Sequence, residues 1–333
     1  MKVYLDNAAT TPIDQEVLKT MFSVMENHYG NPSSIHSHGR EVRTLVEKAR
    51  KSVAQILNTA PANIFFTSGG TDADNMAIRC AIEDFGIKHA ITSKIEHHAV
   101  GHTLVHLEQQ GKIKLSYVDV DEKGSINYHH LEELLKDNER SLVSLMHANN
   151  ELGTLTDIEK VGEICEQYHA IFHSDTVQTM GHYKHDLSKL KVHFLVCAAH
   201  KLHGPKGVGF LYVNPSIKIK PMIFGGAQER NMRGGTENVY GIVGLSKALE
   251  MAYADMEHHQ NHIQTLKDYM ITELQKAIPE IGFNGETEAN KSLYTVLNVC
   301  FPKMDMADML LFNLDINGIS ASGRSGDSTV SRH

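Results

Sequence analysis

Five short stretches of the chain carry residue types at spacings that suit chemistry, and each has a plainer structural alternative. Phe66-Thr67-Ser68-Gly69-Gly70-Thr71-Asp72-Ala73-Asp74-Asn75 joins a strand pattern to a helix start. Glycines there let backbone approach an anion, and the free N–H groups of a helix N-terminus point toward it. Thr71 adds a hydroxyl donor, although a Gly-Gly turn with a Thr or Asp cap is an equally simple account. The stretch is no Walker A loop, and the chain has no G-x-G-x-x-G fingerprint. In Cys197-Ala198-Ala199-His200-Lys201-Leu202-His203-Gly204-Pro205-Lys206-Gly207 a lysine leaves an apolar strand into a Gly/Pro turn. Burial there would lower the amine pKa and suit Schiff-base formation with an aldehyde cofactor; otherwise Lys201 is a surface-loop lysine.

The other three stretches are acidic, imidazole-bearing and amide-bearing. In Ile171-Phe172-His173-Ser174-Asp175-Thr176-Val177-Gln178 an acid sits just past a buried strand, where open α/β sheets place ligand contacts. Asp175 could hold the protonated ring nitrogen of a pyridine cofactor, or simply cap a helix. Glu96-His97-His98-Ala99-Val100 offers an imidazole that could stack on a ring or move protons. His98 and His102 have i, i+4 spacing but no third ligand, so no metal site is read. Met146-His147-Ala148-Asn149-Asn150-Glu151-Leu152-Gly153 ends a further strand with two amides, which suit either a ring substituent or a polar turn. Phosphate cradle, imidazole, amide, acid and lysine at the strand ends of one sheet together match the needs of pyridoxal phosphate.

The elements that must position these groups follow from periodicity. Short apolar runs at 64–66, 90–92, 113–118, 142–146, 170–172, 194–198 and 208–213 alternate with amphipathic segments. Val42, Leu45, Val46, Ala49, Val53, Ile56 and Leu57 keep helical spacing with Asn58 as the stop, and Asp157 is the N-cap candidate of another helix. This alternation predicts an α/β fold with a largely parallel sheet covered on both faces. After Gly234-Gly235 one long helical pattern runs from Ile242 to Met270 and ends near Ile278-Pro279. A strand over 293–299 and a short helix over 306–311 follow, which suggests a second, smaller α+β unit.

Composition narrows the function classes. The 333 residues include 32 Lys plus Arg against 40 Asp plus Glu, a formal net charge of −8, and no basic run that would serve nucleic acid. No apolar stretch approaches a membrane span, and the start has no signal-like apolar region. Four scattered cysteines without a C-x-x-C pair fit a reducing cytoplasm. The histidines at 258, 259 and 262 read as a solvated helix face.

These five stretches, with a sixth at Tyr4–Pro12, resemble in order the cysteine desulfurases, which are class V, fold-type I pyridoxal-phosphate enzymes. The resemblance rests on Tyr4–Pro12, Thr67–Asn75, Glu96–Val100, His147–Gly153, Asp175–Gln178 and His200–Gly207. Asn231-Met232-Arg233-Gly234-Gly235-Thr236-Glu237-Asn238 is similar to a further family motif. The likeness spans about residues 3 to 323. It implies a mostly parallel seven-stranded sheet between helices, with a large cofactor domain over 13–258. A small domain would combine 1–12 with 259–333. By resemblance Lys201 holds the cofactor aldehyde, His97 stacks on the ring and assists proton transfer, and Asp175 pairs with the ring nitrogen. Gln178 and Asn150 contact the ring oxygen or substrate; Gly70, Thr71 and His200 hold the phosphate. Thr236 reaches the phosphate of the neighbouring subunit in a homodimer. The implied reaction takes sulfur from L-cysteine, releases L-alanine and passes the sulfur to an acceptor protein for iron–sulfur assembly or transfer-RNA thiolation.

Two departures qualify the expected activity. Ala198 stands where the family has a serine that bonds the phosphate, a loss of about 1 kcal/mol. The family's Ser-Ala-Cys-type motif reads Arg324-Ser325-Gly326-Asp327-Ser328-Thr329 here, which puts glycine at the nucleophile position. The sequence also ends before the family's substrate-binding arginine. The expectation is therefore a family member impaired in residues 1–333. A related lyase or aminotransferase needing no thiol, or a non-catalytic pseudoenzyme, are the alternatives.

Overall fold

The computed structural model describes residues 2–138, 140–302 and 309–323. After a short strand β1 (Val3–Tyr4), helices α1 (Gln15–Asn27) and α2 (Ser37–Ile56) precede the sheet. β2 (Ile64–Thr67), α3 (Gly70–Phe85), β3 (His89–Thr92), α4 (His98–Gln109) and β4 (Lys114–Tyr117) follow. The alternation continues with α5 (Tyr128–Lys136), β5 (Ser141–Ser144), α6 (Ile158–Gln167), β6 (Ile171–Asp175), β7 (Phe194–Ala198) and β8 (Gly209–Val213). These strands form one seven-stranded sheet in the order β2-β8-β7-β6-β5-β3-β4. Only β8 runs against its neighbours; every other pairing is parallel. The predicted α/β fold is the one observed.

Strand pleating sorts the core into two layers. Phe65, Val196 and Leu211 point to one face, where α3 and α4 bring Ala73, Met76, Val100 and Leu104. Phe66, Leu195, Cys197, Phe210 and Tyr212 point to the other, against α1, α2, α5, α6 and the later helix α7 (Val239–Ala254). With both faces covered, strands such as Phe194–Ala198 are buried throughout, which is why they read as unbroken apolar runs. In α2, Val42, Val46, Ala49 and Val53 form the buried stripe, and Asn58 leaves the helix with φ 54°. Asp157 caps α6, accepting from the Lys160 N–H at 3.0 Å.

The C-terminal part departs from expectation in three places. The long helical pattern is two helices, α7 and α8 (Met256–Ala277), separated at Asp255 (φ −117°, ψ 17°). The break lets the mostly exposed α8 leave the core where α7's apolar run ends. Of the expected strand over 293–299, only the end is extended, as β10 (Asn298–Cys300) antiparallel to β9 (Gly282–Asn284). Leu293 and Val296 instead bury themselves against Ala148 in irregular backbone, a tertiary use of apolar residues that a strand pattern cannot distinguish. The expected helix over 306–311 begins outside the described residues; α9 runs Leu310–Ile316 and leads to β11 (Ile319–Ser320). β11 pairs in parallel with β1, through Val3 with Ile319 and Tyr4 with Ser320. Gly326 and Asp327 lie outside the described residues.

Candidate active site

The directions of β2, β3, β5, β6 and β7 bring their C-terminal ends to one edge of the sheet, and the flagged residues converge there. β2 passes through Gly69, whose φ of +149° suits glycine, straight into α3. Gly69 is the N-cap residue and has no side chain to bond the first-turn N–H groups, so an anion can take that role. A Cβ on Gly70 would meet Val177 Cγ2 at 2.8 Å, and one on Gly209 would meet the Cys197 carbonyl oxygen at 2.2 Å. The cradle thus packs closely, against the Val177 side chain at Gly70 and against backbone at Gly209. Asp72 braces it, accepting from the Ser68 N–H at 2.8 Å and from Ser68 Oγ at 3.0 Å. Thr71 is exposed at the mouth, and Ala198 faces the cradle 3.6 Å from where a Gly70 Cβ would lie.

Lys201 follows β7 after a single tight turn and is partly buried. Its Nζ donates to the carbonyl oxygens of Ala8 and, at 2.8 Å, Ala9, so the N-terminal segment lies over the amine. That segment is fastened to the lysine turn through Thr11, whose N–H and Oγ1 donate to the His200 carbonyl at 2.9 and 3.0 Å. Burial lowers the Lys201 pKa from its ordinary value, against the opposing pull of Asp175 and Asp6. Gln178 Nε2 donates to the same Ala8 carbonyl at 3.0 Å, which brings Gln178 to the lysine. His200 Nδ1 lies 3.1 Å from Thr10 Oγ1; burial, helped by Lys201 and Lys206, pushes its pKa down to about 4.

Asp175 ends β6, buried, with Oδ1 accepting from the Val177 N–H at 2.8 Å. Burial raises its pKa, and the Val177 N–H, His97 and Lys201 oppose the rise. His97 caps α4 by accepting from the Ala99 N–H at Nδ1, 3.1 Å away, so its neutral ring carries the proton on Nε2. One oxygen or nitrogen from each of Asp74, His97 and Asp175 lies within 4.8 Å of the others. Of the two amides after β5, Asn149 is consumed by its turn. It accepts from the Glu151 and Leu152 N–H groups at 2.9 and 2.7 Å and donates to the Ile95 carbonyl at 2.6 Å. Asn150, beside it, is partly exposed. Thr236 is exposed and lines a cavity with Thr67, Ser68 and Glu229; it is not brought to Lys201.

Sequence reasoning passed over three buried groups beneath this edge. Asp74 is fully buried on α3, and burial, reinforced by Asp175 and Glu96, raises its pKa well above the ordinary value. Its Oδ1 is 3.3 Å from His173 Nε2, and His173 Nδ1 is 2.8 Å from Ser144 Oγ. Burial depresses His173 to about 3 and raises Glu96 to about 8, although Glu96 accepts from Ser93 Oγ and the Met146 N–H. An Asp inside an apolar helix stripe and a His inside an apolar strand were the available signals, since such residues are seldom buried unpaired.

Residues 3–332 match the family described as aminotransferase class-V. The cysteine desulfurase IscS of Dictyoglomus turgidum is 42% identical, over 99% of this chain and 83% of that protein. The putative cysteine desulfurase IscS 1 of Bacillus subtilis is 43% identical, over 97% and 85%. The chain belongs to the cysteine desulfurase family. A solved NifS-like protein has the same fold with TM-score 0.92 at 38% identity, covering 97% of this chain and 88% of that one. A structure of SspA in complex with cysteine has TM-score 0.81 at 30% identity, over 98% and 90%.

Cysteine desulfurases use pyridoxal 5′-phosphate, and the residues present fit it. An uncapped glycine-rich helix start suits the phosphate, a partly buried amine the aldehyde, and a buried acid the ring nitrogen. The Asp74–His97–Asp175 trio has the donor chemistry of a divalent-ion site, but Asp175 and His97 in it are also the groups that suit the ring of the cofactor. Among the described residues no helix is long and apolar enough to cross a membrane.

Proposed function

We propose that this desulfurase binds its cofactor across Gly70, Thr71, His97, Asn150, Asp175, Gln178, His200 and Lys201 and acts on L-cysteine. The observation carrying the reading is the convergence of Lys201, Asp175 and His97 beside the uncapped start of α3. Bound there, pyridoxal phosphate would supply an electron-withdrawing ring that makes the bonds at the Cα of an amino acid easier to break. Lys201 Nζ holds the aldehyde, and its depressed pKa keeps more of the amine uncharged at neutral pH. Asp175 holds a proton at the ring nitrogen. His97 covers the ring face and moves a proton at Nε2, the nitrogen not engaged by Ala99. The first-turn N–H groups of α3, Thr71 Oγ1 and neutral His200 bind the phosphate. The amides of Asn150 and Gln178 orient the ring oxygen or the substrate.

Sulfur removal needs a thiolate at the substrate sulfur. Burial pushes the Cys80 thiol up to about 12 and raises Cys165 and Cys197 as well, while the exposed Cys300 is held in the paired strand β10. With glycine at 326, residues 1–333 therefore bind cofactor but release little sulfide. Purified protein given L-cysteine and a reductant tests this: robust sulfide and alanine release overturns the impairment. K201A should abolish the visible band of lysine-bound cofactor, and persistence of that band overturns the site assignment.

The functional unit is a homodimer in the cytoplasm, with Thr236 reaching the partner subunit's phosphate and an acceptor protein taking the sulfur. Support for the dimer comes from apolar surface: Leu18, Phe22 and Met25 are exposed along one face of α1, and Phe224 is 85% exposed near Thr236. The β1–β11 pairing supports a small domain uniting 1–12 with the chain after 258.

A further inference from the structure

The segment carrying Thr236 is pinned to the phosphate cradle of its own chain by contacts that the proposed function does not use. Three consecutive non-glycine residues, Glu229, Arg230 and Asn231, take left-handed φ angles of 45°, 57° and 67°, which L side chains disfavour. Glu229, only 5% exposed, holds this turn. Its Oε1 accepts from Arg50 Nη2 at 2.8 Å, and its Oε2 accepts from Arg50 Nη1 at 2.7 Å and the Phe66 N–H at 2.9 Å. Phe66 lies on β2 immediately before the cradle, and Arg50 Nη1 and Arg230 Nη2 both donate to the Ile64 carbonyl on that strand, at 2.8 and 2.7 Å. A second pin follows: Arg233 Nε donates at 2.8 Å to Asp72 Oδ2, the oxygen that also braces Ser68. Exposed Thr236 comes just after this pin.

We propose that Glu229 is a positioning residue that fixes Thr236 relative to its own chain's cradle, and so controls how firmly the partner subunit's cofactor phosphate is held. This rests on the reading that Thr236 acts across the dimer. A buried carboxylate that merely satisfied Arg50 would affect its own chain's fold and both sites alike. A positioning residue affects the opposite site.

Mixed dimers separate the two. One chain carries K201A, so only the other chain's site shows the visible lysine-bound cofactor band during titration with pyridoxal phosphate. With E229Q in the K201A chain, the dissociation constant at the reporting site should rise about tenfold or more; with E229Q in the Lys201 chain, where Glu229 also holds β2 ahead of that chain's own cradle, it should rise clearly less. Equal weakening in both arrangements, weakening only in the Lys201 chain, or none in either overturns the proposal. Because E229Q deprives buried Arg50 of its carboxylate, R233Q, which cuts the more exposed second pin, is run in the same arrangements with the same expected direction. T236A serves as the reference. Weakening when it sits in the K201A chain upholds the cross-dimer reading, and a silent E229Q and R233Q then sinks only the positioning role. Weakening by T236A only in the Lys201 chain sinks the cross-dimer reading itself.

Discussion

At the scale of single residues, the site depends on burial acting against charge. Lys201 and His200 are both pushed toward their neutral forms by burial, as the proposed roles of amine and phosphate donor require. Ala198 is the residue whose substitution is simplest to interpret, because its methyl faces the cradle and its change adds only a hydroxyl. A198S should tighten pyridoxal phosphate binding by about fivefold, equivalent to one net hydrogen bond of about 1 kcal/mol, read by absorbance titration. No tightening would mean that the serine hydroxyl cannot reach the phosphate. Lys201, Asp175 and His97 could be singled out in the sequence because each follows an apolar run into a turn or helix start, where open α/β sheets place ligand contacts. Asp74 and His173 were not, because their meaning lies in being 3.3 Å apart across α3 and β6, residues far separated in the chain.

At the scale of elements, the cradle requires α3 to start directly against β6 and β7. Gly70 permits that approach, since a Cβ there would lie 2.8 Å from Val177 Cγ2. G70A should therefore weaken cofactor binding by about tenfold or more through displacement of the helix start, and V177A in the same chain should restore most of it. Failure of V177A to rescue would show that the contact with Val177 does not set the requirement for glycine at position 70. Helix and strand periodicity was readable wherever one face or both faces of an element are buried. It misread 293–299, because apolar residues there bury without pairing, and it ran α7 and α8 together across Asp255.

At the scale of the whole molecule, the buried titratable groups set how the apoprotein responds to pH. Burial holds His173 near 3, and His182 and His185 near 4, against an ordinary value of 6.5. In this window the unfolded chain binds more protons than the folded one, so stability falls as pH drops from about 6.5 to about 4. Glu96 acts in the opposite sense. It keeps its proton in the fold up to about 8, so its contribution fades as pH rises from 4.5 toward 8. Denaturant unfolding of the apoprotein at several pH values should show a steep acid limb, and E96Q should flatten the decline on the alkaline side. A flat profile below pH 6.5 would mean that these histidines titrate normally. The β1–β11 pairing, which joins the two ends of the described chain, also exists only at this scale.

Residue types, their spacing and their order were enough to establish the α/β class, the cofactor chemistry and the family, because those depend on local patterns that each stretch carries within itself. The sequence alone could not say which of two adjacent asparagines is committed to its turn, or that an aspartate and a histidine meet beneath the ring site. Nor could it say that Glu229 binds a strained turn to β2. Such facts arise from contacts between residues distant in the chain, whose distances are set only when the layers pack together.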